Sequence, residues 1–392
     1  MDSTWLERAR ALRPVIEAGA LDAETRRQVD ADVIAEVNAA GLLALNIPSA
    51  YGGEQVPAPE SLSVLEELAY ADSAVGWCAM IYSTTAVLGS FLPAPWGEVV
   101  YRPLTQADGS RCSPLSAGAA APSGRGRLVD GGIEVSGRWA WGSGTQHCDW
   151  ICGGTLVEDN GELLRFDNGE PMVHVMFFTR DQVQLQDNWN PSGLRGTGSV
   201  DFVVEAQVVP TGRWTVLGQS RRQVDAPLYR YPFFGYFAAA VATVPLGIAR
   251  RAVDDFEQLS RTKKLLPSAT PMADWSIVQL EFAEAEAQTL AAQQLLFGTA
   301  ARVWDKVAQG QKADLQDRRQ LRLAAAAATR LSAQAVDRLY HAAGGTALQG
   351  DCSLQKHFRD IHAATQHRMV GTEVLRMAGA ARISDQPVSY QL

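Results

Sequence analysis

Apolar positions recur every three or four residues over residues 5–43 and again over 59–92, with alanine and glutamate filling the gaps. This is the period of an amphipathic helix and predicts a helical first hundred residues. Over residues 111–214 the pattern changes. Gly131-Gly132 precede alternating Ile133 and Val135, and further apolar runs at 150–156, 172–178 and 200–209 are each bounded by Gly, Asp, Asn or Pro. Such short, turn-bounded runs predict a sheet domain. Beyond Pro232 the helical period returns in four long stretches, near 234–260, 272–308, 313–343 and 354–379, rich in Ala, Leu, Gln, Glu and Arg. Short connections between them predict an antiparallel bundle. The expected class is α+β, with domains at 1–108, 109–216 and 217–392.

Composition narrows this little. The 392 residues suffice for two or three packed subdomains, and 46% apolar with 20% charged residues is ordinary for a globular chain. The apolar runs are interrupted before the roughly 20 residues of a membrane span, so none is expected. The start, Met1-Asp2-Ser3-Thr4-Trp5-Leu6-Glu7, has no basic stretch leading into an apolar one, so a cytoplasmic setting is expected. A net charge of −8 disfavours a nucleic-acid partner. Cys78, Cys112, Cys148, Cys152 and Cys352 are too few and scattered for a disulfide framework and read as buried thiols. Cys148 and Cys152, four apart in a strand-like stretch, would share a face by the period of two. No second pair supports a metal site there. No Gly-x-Gly-x-x-Gly follows a strand: Gly124-Arg125-Gly126 and Gly196-Thr197-Gly198 both lack the third glycine. A Rossmann-type NAD(P)H site is therefore not expected.

Specific motifs go further. Gly41-Leu42-Leu43-Ala44-Leu45-Asn46-Ile47-Pro48 followed by Tyr51-Gly52-Gly53, then Glu66-Glu67-Leu68-Ala69 with Ala71-Asp72-Ser73, are similar to the opening helices of acyl-CoA dehydrogenases. Asn190-Pro191-Ser192-Gly193-Leu194-Arg195-Gly196-Thr197-Gly198-Ser199, and the strand ending Val208-Val209-Pro210, resemble the segment closing that family's sheet domain. Ala343-Gly344-Gly345 and Phe358-Arg359-Asp360 resemble its C-terminal bundle. The resemblance spans nearly the whole chain and implies an acyl-CoA dehydrogenase-like fold: an N-terminal helical domain, a central β-barrel-like sheet domain and a C-terminal four-helix bundle.

It also implies a flavin site. In Gly137-Arg138-Trp139-Ala140-Trp141-Gly142-Ser143-Gly144, Trp141 matches the family tryptophan that lies against the isoalloxazine ring. Ser143 matches the hydroxyl that meets flavin N5, a two-residue spacing that a strand would put on one side. Ala121 and Pro122, in Ala120-Ala121-Pro122-Ser123-Gly124, sit where the family loop brings backbone amides to the flavin. Gly344-Gly345 matches a pair that lets a neighbouring subunit approach the dinucleotide half of FAD, which implies a homo-oligomer, a tetramer in this family. Read without the family, each feature is a core tryptophan, a turn serine, a hairpin approach or a helix cap.

A dehydrogenase of this family needs a carboxylate to take the α-proton of a thioester, in many members a Glu about nine residues after the Arg-Asp pair. Here Arg359-Asp360-Ile361-His362-Ala363-Ala364-Thr365-Gln366-His367-Arg368-Met369-Val370 offers no acid. That run, with Ser143-Gly144-Thr145-Gln146-His147-Cys148-Asp149-Trp150, resembles instead the oxygenase branch, the two-component group D flavin-dependent monooxygenases. The resemblance implies reduced FAD or FMN from a separate NAD(P)H flavin reductase, with O2 as co-substrate. A C4a-hydroperoxide would then hydroxylate, or N- or S-oxygenate, a small aromatic or amino-sugar substrate. An acyl-CoA dehydrogenase is the competing reading, and a helical scaffold without flavin a third. The oxygenase-branch resemblance makes His367 the imidazole expected to face the flavin, and the ordinary pKa of a histidine, near 6.5, suits proton exchange near neutrality. His357, His362 and His367 fall five apart, about 140° rotated on each helical step, and so do not form a metal pair on one face. His362 reads as structural or exposed, and Arg359-Asp360 as a structural ion pair or subunit contact. Relatives that carry a histidine in the first pocket helix have Tyr82, Ser83 and Thr84 as counterparts here, candidates for lining the substrate pocket. The loop at 219–231 would also shape that pocket.

Overall fold

The computed structural model describes residues 4–105, 111–218, 221–264, 270–386, 389 and 391–392. The expected boundary at 108/109 and the start of the 219–231 loop lie outside the described residues. Helices α1 (Thr4–Ala11), α2 (Arg13–Arg26), α3 (Ala31–Ala39), α4 (Ala58–Ala71), α5 (Ser73–Val87) and α6 (Ala94–Tyr101) make the first domain. Their starts follow from capping. Asp30 accepts the Asp32 amide at the head of α3, and Asp72 accepts those of Ala74 and Val75 at the head of α5. Because α5 is apolar on all sides it is buried on all sides, as a helix sandwiched between domains must be.

The sheet region holds β1 (Leu104–Thr105), β2 (Arg111–Cys112), β3 (Ser116–Val129), β4 (Gly132–Gly142), β5 (Trp150–Asp159), β6 (Glu162–Leu163), β7 (Val173–Thr179), β8 (Gln184–Gln186), β9 (Val200–Pro210) and β10 (Trp214–Val216). The first two pair with each other. The central mixed sheet has the order β10-β7-β5-β3-β4-β9-β8, with β6 beside β5, and only β3–β5 are parallel. Trp139 of β4 is its anchor: fully buried, it stacks on Phe202 of β9 at 5.1 Å and donates its indole N–H to the Gly154 carbonyl of β5. The two cysteines expected on one face are separated. Cys148 precedes β5 and its thiol donates to the Gly144 carbonyl, whereas Cys152 joins the cluster around Phe177, because Cys148 lies in the turn and not in the strand. Cys112 and Cys352 are partly exposed, not buried.

The last domain contains α7 (Pro227–Arg230), α8 (Phe233–Thr262), α9 (Ser276–Ala308), α10 (Leu315–Ala343), α11 (Ser353–Thr365) and α12 (Thr372–Ser384). Helix α8 runs through Pro245 and is buried without a break from Ala238 to Ala249, packed on α4, α5 and α10. Both α8 and the Ser73–Phe91 segment have the length and apolarity of a membrane span, yet most of each is buried inside this chain. The stretch expected as one helix over 354–379 is two. Residues 366–371 form a turn between α11 and α12, so His367 stands on a turn and not on a helix.

Replacing Trp139 by alanine leaves a large void where β3, β4, β5 and β9 meet. The expected loss is about 3–5 kcal/mol, measured as a lower urea midpoint.

Candidate active site

Trp77, near the first turn of α5, joins the two residues on which the sequence reading placed the chemistry. Its indole N–H donates to Ser143 Oγ at 3.0 Å, and its ring meets the His367 imidazole edge to face at 5.6 Å. Phe237 of α8 closes a second side of that imidazole at 5.5 Å. His367 Nδ1 accepts the Met369 N–H at 3.3 Å, which leaves Nε2 as the protonated nitrogen of the neutral ring. Burial, then Arg368, then Arg322, pushes its pKa down to about 4. Arg322 is itself almost fully buried; its guanidinium donates to the Phe234 carbonyl and contacts Met369 Sδ, both at 3.3 Å, and so braces the turn from below.

Ser143 is buried and also bonds Ser199 Oγ at 2.6 Å. The turn after it is pinned from two sides: Gly144 N–H donates to the Thr197 carbonyl, and the Gly144 carbonyl accepts Tyr82 OH at 2.9 Å. Gly144 has φ +68, and a Cβ there would meet Tyr82 OH at 2.4 Å, so only glycine fits this turn. Trp141 does not share a strand face with Ser143. The β4–β9 register shifts between Trp139 and Gly142, and Trp141 takes φ +62 and points out, 70% exposed, while Trp139 goes into the core. A bulge, not the period of two, sets the pair. Ala121 and Pro122 lie on a second bulge, where β3 leaves register with β5 between Ala119 and Gly124, and residues 120–123 are exposed.

An exposed tryptophan held in a strained conformation, a raised stretch of backbone and a hydroxyl with one free lone pair suit a flat flavin ring, so Trp141, Ser143, Gly144, Ala121 and Pro122 could hold it. Gly344 and Gly345 cap α10 with Gly344 at φ +59, exposed and with nothing within 4 Å of an added Cβ, far along the chain from this cluster. The three pocket-helix hydroxyls have protein partners. Tyr82 holds Gly144, Ser83 bonds Asn46 and Tyr236, and Thr84 bonds back to Met80 and Ile81. His147 bonds the Val29 backbone, His357 pairs with Asp255 and His362 with Asp337, so none of them joins His367. Among the described residues no group of three His, Cys, Asp or Glu could hold a metal.

Arg359 and Asp360 do not pair with each other. Arg359 reaches Glu24 and the Ser192 carbonyl, while Asp360 pairs with Lys356 at 2.7 Å and accepts Ser73 Oγ and the Leu194 N–H. Sequence reading missed Trp77, Ser199, Thr197, Phe237 and Arg322 as parts of the site. Of these, Thr197 and Ser199 lay within a motif, residues 190–199, that could have flagged them.

The pH dependence of His367 has a definite sign. Its folded pKa of about 4 lies below the ordinary 6.5, so the unfolded chain binds the proton first. Its contribution is complete above pH 6.5 and is lost as pH falls towards 4. Denaturation in that window should show His367→Gln falling less steeply than the parent chain, by up to about 3 kcal/mol.

Two family models match this chain: "Acyl-CoA dehydrogenase, N-terminal domain" over residues 8–92 and "Acyl-CoA dehydrogenase, C-terminal domain" over 239–372, together more than half its length. It is 28% identical to indole-3-acetate monooxygenase of Pseudomonas putida, over 93% of this chain and 90% of that protein. It is also 28% identical to the flavin-dependent monooxygenase oxygenase subunit HsaA of Rhodococcus jostii, over 92% of this chain and 93% of that one. The crystal structure of 3-HSA hydroxylase from Rhodococcus sp. RHA1 superposes with a TM-score of 0.89 at 25% identity, over the whole of both chains. This chain belongs to the acyl-CoA dehydrogenase superfamily, in its flavin-dependent oxygenase branch.

Proposed function

We propose that this chain is the oxygenase component of a two-component flavin monooxygenase, taking reduced flavin from a separate reductase and placing one oxygen atom of O2 on a small aromatic substrate. The observation that carries it is the His367 imidazole: half-buried between aromatic rings, neutral, its Nε2–H free to donate, and joined through one indole to the Ser143 hydroxyl. A dehydrogenase needs a carboxylate base, whereas the charges acting on His367 are two guanidinium groups.

Bound flavin, as FAD or FMN, supplies the two electrons that activate O2. The protein's part is to exclude water and to donate a hydrogen bond. Trp77 and Phe237 cover the imidazole, so the proton on Nε2 faces an apolar surround in which hydrogen bonds are stronger than in water. Those aromatic faces, with Phe233 and Phe234 at the head of α8, suit a planar aromatic guest, which agrees with the indole substrate in a relative's name. A cytoplasmic homotetramer fits this reading. Exposed Ile277, Leu280, Leu290 and Leu295 of α9 are apolar side chains that a subunit contact would cover, and Gly344-Gly345 stand open for a neighbour's cofactor.

The test supplies reductase, NADH, flavin and O2, with indole-3-acetate as first trial substrate. The parent chain should give oxygenated product. His367→Ala should lose about 10²-fold in product formation and release H2O2 instead, with reduced-flavin affinity within about threefold of the parent. Anaerobic bleaching of the bound flavin by an acyl-CoA would overturn the reading in favour of a dehydrogenase.

A further inference from the structure

Behind Ser143 lies a row of three hydroxyls ending on a carbonyl. Ser143 Oγ is 2.6 Å from Ser199 Oγ, Ser199 Oγ is 2.6 Å from Thr197 Oγ1, and Thr197 Oγ1 is 2.8 Å from the Leu194 carbonyl oxygen. All three hydroxyl residues are buried. Each hydroxyl has one proton, so the direction of the row is decided at its ends. The Leu194 carbonyl can only accept, and this takes the Thr197 proton. Ser199 must then donate to Thr197, and Ser143 must donate to Ser199. At the other end the Trp77 indole N–H can only donate, and it donates to Ser143. Running the row backwards would leave Thr197 Oγ1 and the Leu194 carbonyl 2.8 Å apart with no proton between them, which burial makes costly.

We propose that Ser199 and Thr197 are positioning residues that fix Ser143 as a hydrogen-bond acceptor towards the flavin, and so make the site selective for flavin that carries a proton on N5. Ser143 has given its proton to Ser199 and one lone pair to Trp77. One lone pair remains for the cofactor. Reduced flavin has an N5–H that can donate to it, whereas oxidised flavin presents a lone pair at N5 and meets oxygen with nitrogen, both acceptors. The preference for reduced flavin is thus built into the second β-domain loop, behind the serine. This rests on the proposed function and on the placement of Ser143 at flavin N5 that the family resemblance implies.

Two further features hold the row. The Leu194 N–H donates to the buried Asp360 carboxylate at 2.6 Å, which fixes the peptide whose carbonyl ends the row. Leu194 adopts φ +52 and Gly198 φ +54, so the 194–199 loop is a tight, left-handed pair of turns with little freedom to swing the hydroxyls apart.

The test measures dissociation constants for reduced flavin, anaerobically, and for oxidised flavin, by quenching of protein fluorescence. Parent, Ser199→Ala, Thr197→Val, Thr197→Ser and Ser143→Ala chains are compared, each first checked for folding by circular dichroism. Ser199→Ala frees the Ser143 proton to turn to the flavin. The ratio of oxidised to reduced dissociation constants should fall about tenfold, largely through tighter oxidised flavin. Thr197→Val removes the last acceptor of the row, lets Ser199 donate back to Ser143, and should lower the ratio similarly. Thr197→Ser keeps a hydroxyl and should keep the parent ratio. Parent-like ratios in folded Ser199→Ala and Thr197→Val would overturn the proposal while leaving flavin binding intact. If Ser143→Ala also matched the parent, the placement of Ser143 at N5 would fail, and a parent chain that binds no reduced flavin would remove the proposed function itself.

Discussion

Lys356 sits half-buried between two buried carboxylates, Asp360 at 2.7 Å and Asp72 at 3.1 Å, and these three charges tie together the pieces from which the site is made. Burial alone would push the lysine pKa down, yet the two carboxylates hold it above its ordinary value; burial would push Asp360 up, yet Lys356 holds it below. Lys356 and Asp360 therefore each support the charged form of the other. Asp72 caps α5 and so sets where Trp77 begins its reach. Asp360 takes the Leu194 amide and Ser73 hydroxyl, joining α11 to both the sheet-domain loop and the first domain. At the same junction a Cβ on Gly193 would meet the Arg359 carbonyl at 2.0 Å, so the loop backbone lies directly on α11. Helix, loop and bundle are thereby held in one arrangement, and the spacing of Trp77, Ser143 and His367 follows from it.

This explains what could be read from the sequence and what could not. The order of helices, sheet and helices was visible because each domain keeps one hydrophobic period over many residues. Ser143 and His367 were visible because each stands in a run that resembles a family motif. The bulges at Trp141 and at 120–123 were not, since a bulge changes which side a residue faces without changing the pattern of residue types around it. The break after Thr365 was hidden for a related reason: apolar Met369 and Val370 continue the helical spacing, and only the fold shows that they are buried from a turn. Trp77 could not be singled out at all. In a helix buried on every side, nothing local marks the one residue that faces chemistry.

The electrostatics around His367 act in one direction. Arg322 is buried with its Nε unpartnered, and burial and Arg368 together push its pKa down to about 10. A guanidinium in that setting still carries its charge at neutral pH, and it stands against any second proton on the neighbouring imidazole. The same arginine braces Met369, whose N–H occupies His367 Nδ1. One side chain thus contributes twice to a single state, through charge and through tautomer, and that state presents Nε2–H. A carboxylate in place of His367 would be attracted to these two arginines and held ionised, suited to taking a proton and unable to give one. The identity of residue 367 therefore decides whether these two cations face a proton acceptor or a neutral donor.

Trp77 makes the two halves of the site interdependent. Its N–H is half of what sets the Ser143 hydroxyl, and its ring packs edge to face on His367. A smaller apolar residue at 77 would release a lone pair on Ser143 and open the imidazole to water at once, so flavin preference and proton donation would change together. Trp141 differs: it is exposed and bonds neither residue, and in the proposed function it would serve only one face of the flavin ring. On that reading the two tryptophans carry separate duties, one for stacking and one for hydrogen-bond direction. The second duty requires burial, because only where water is excluded does the single proton of a serine have no alternative partner.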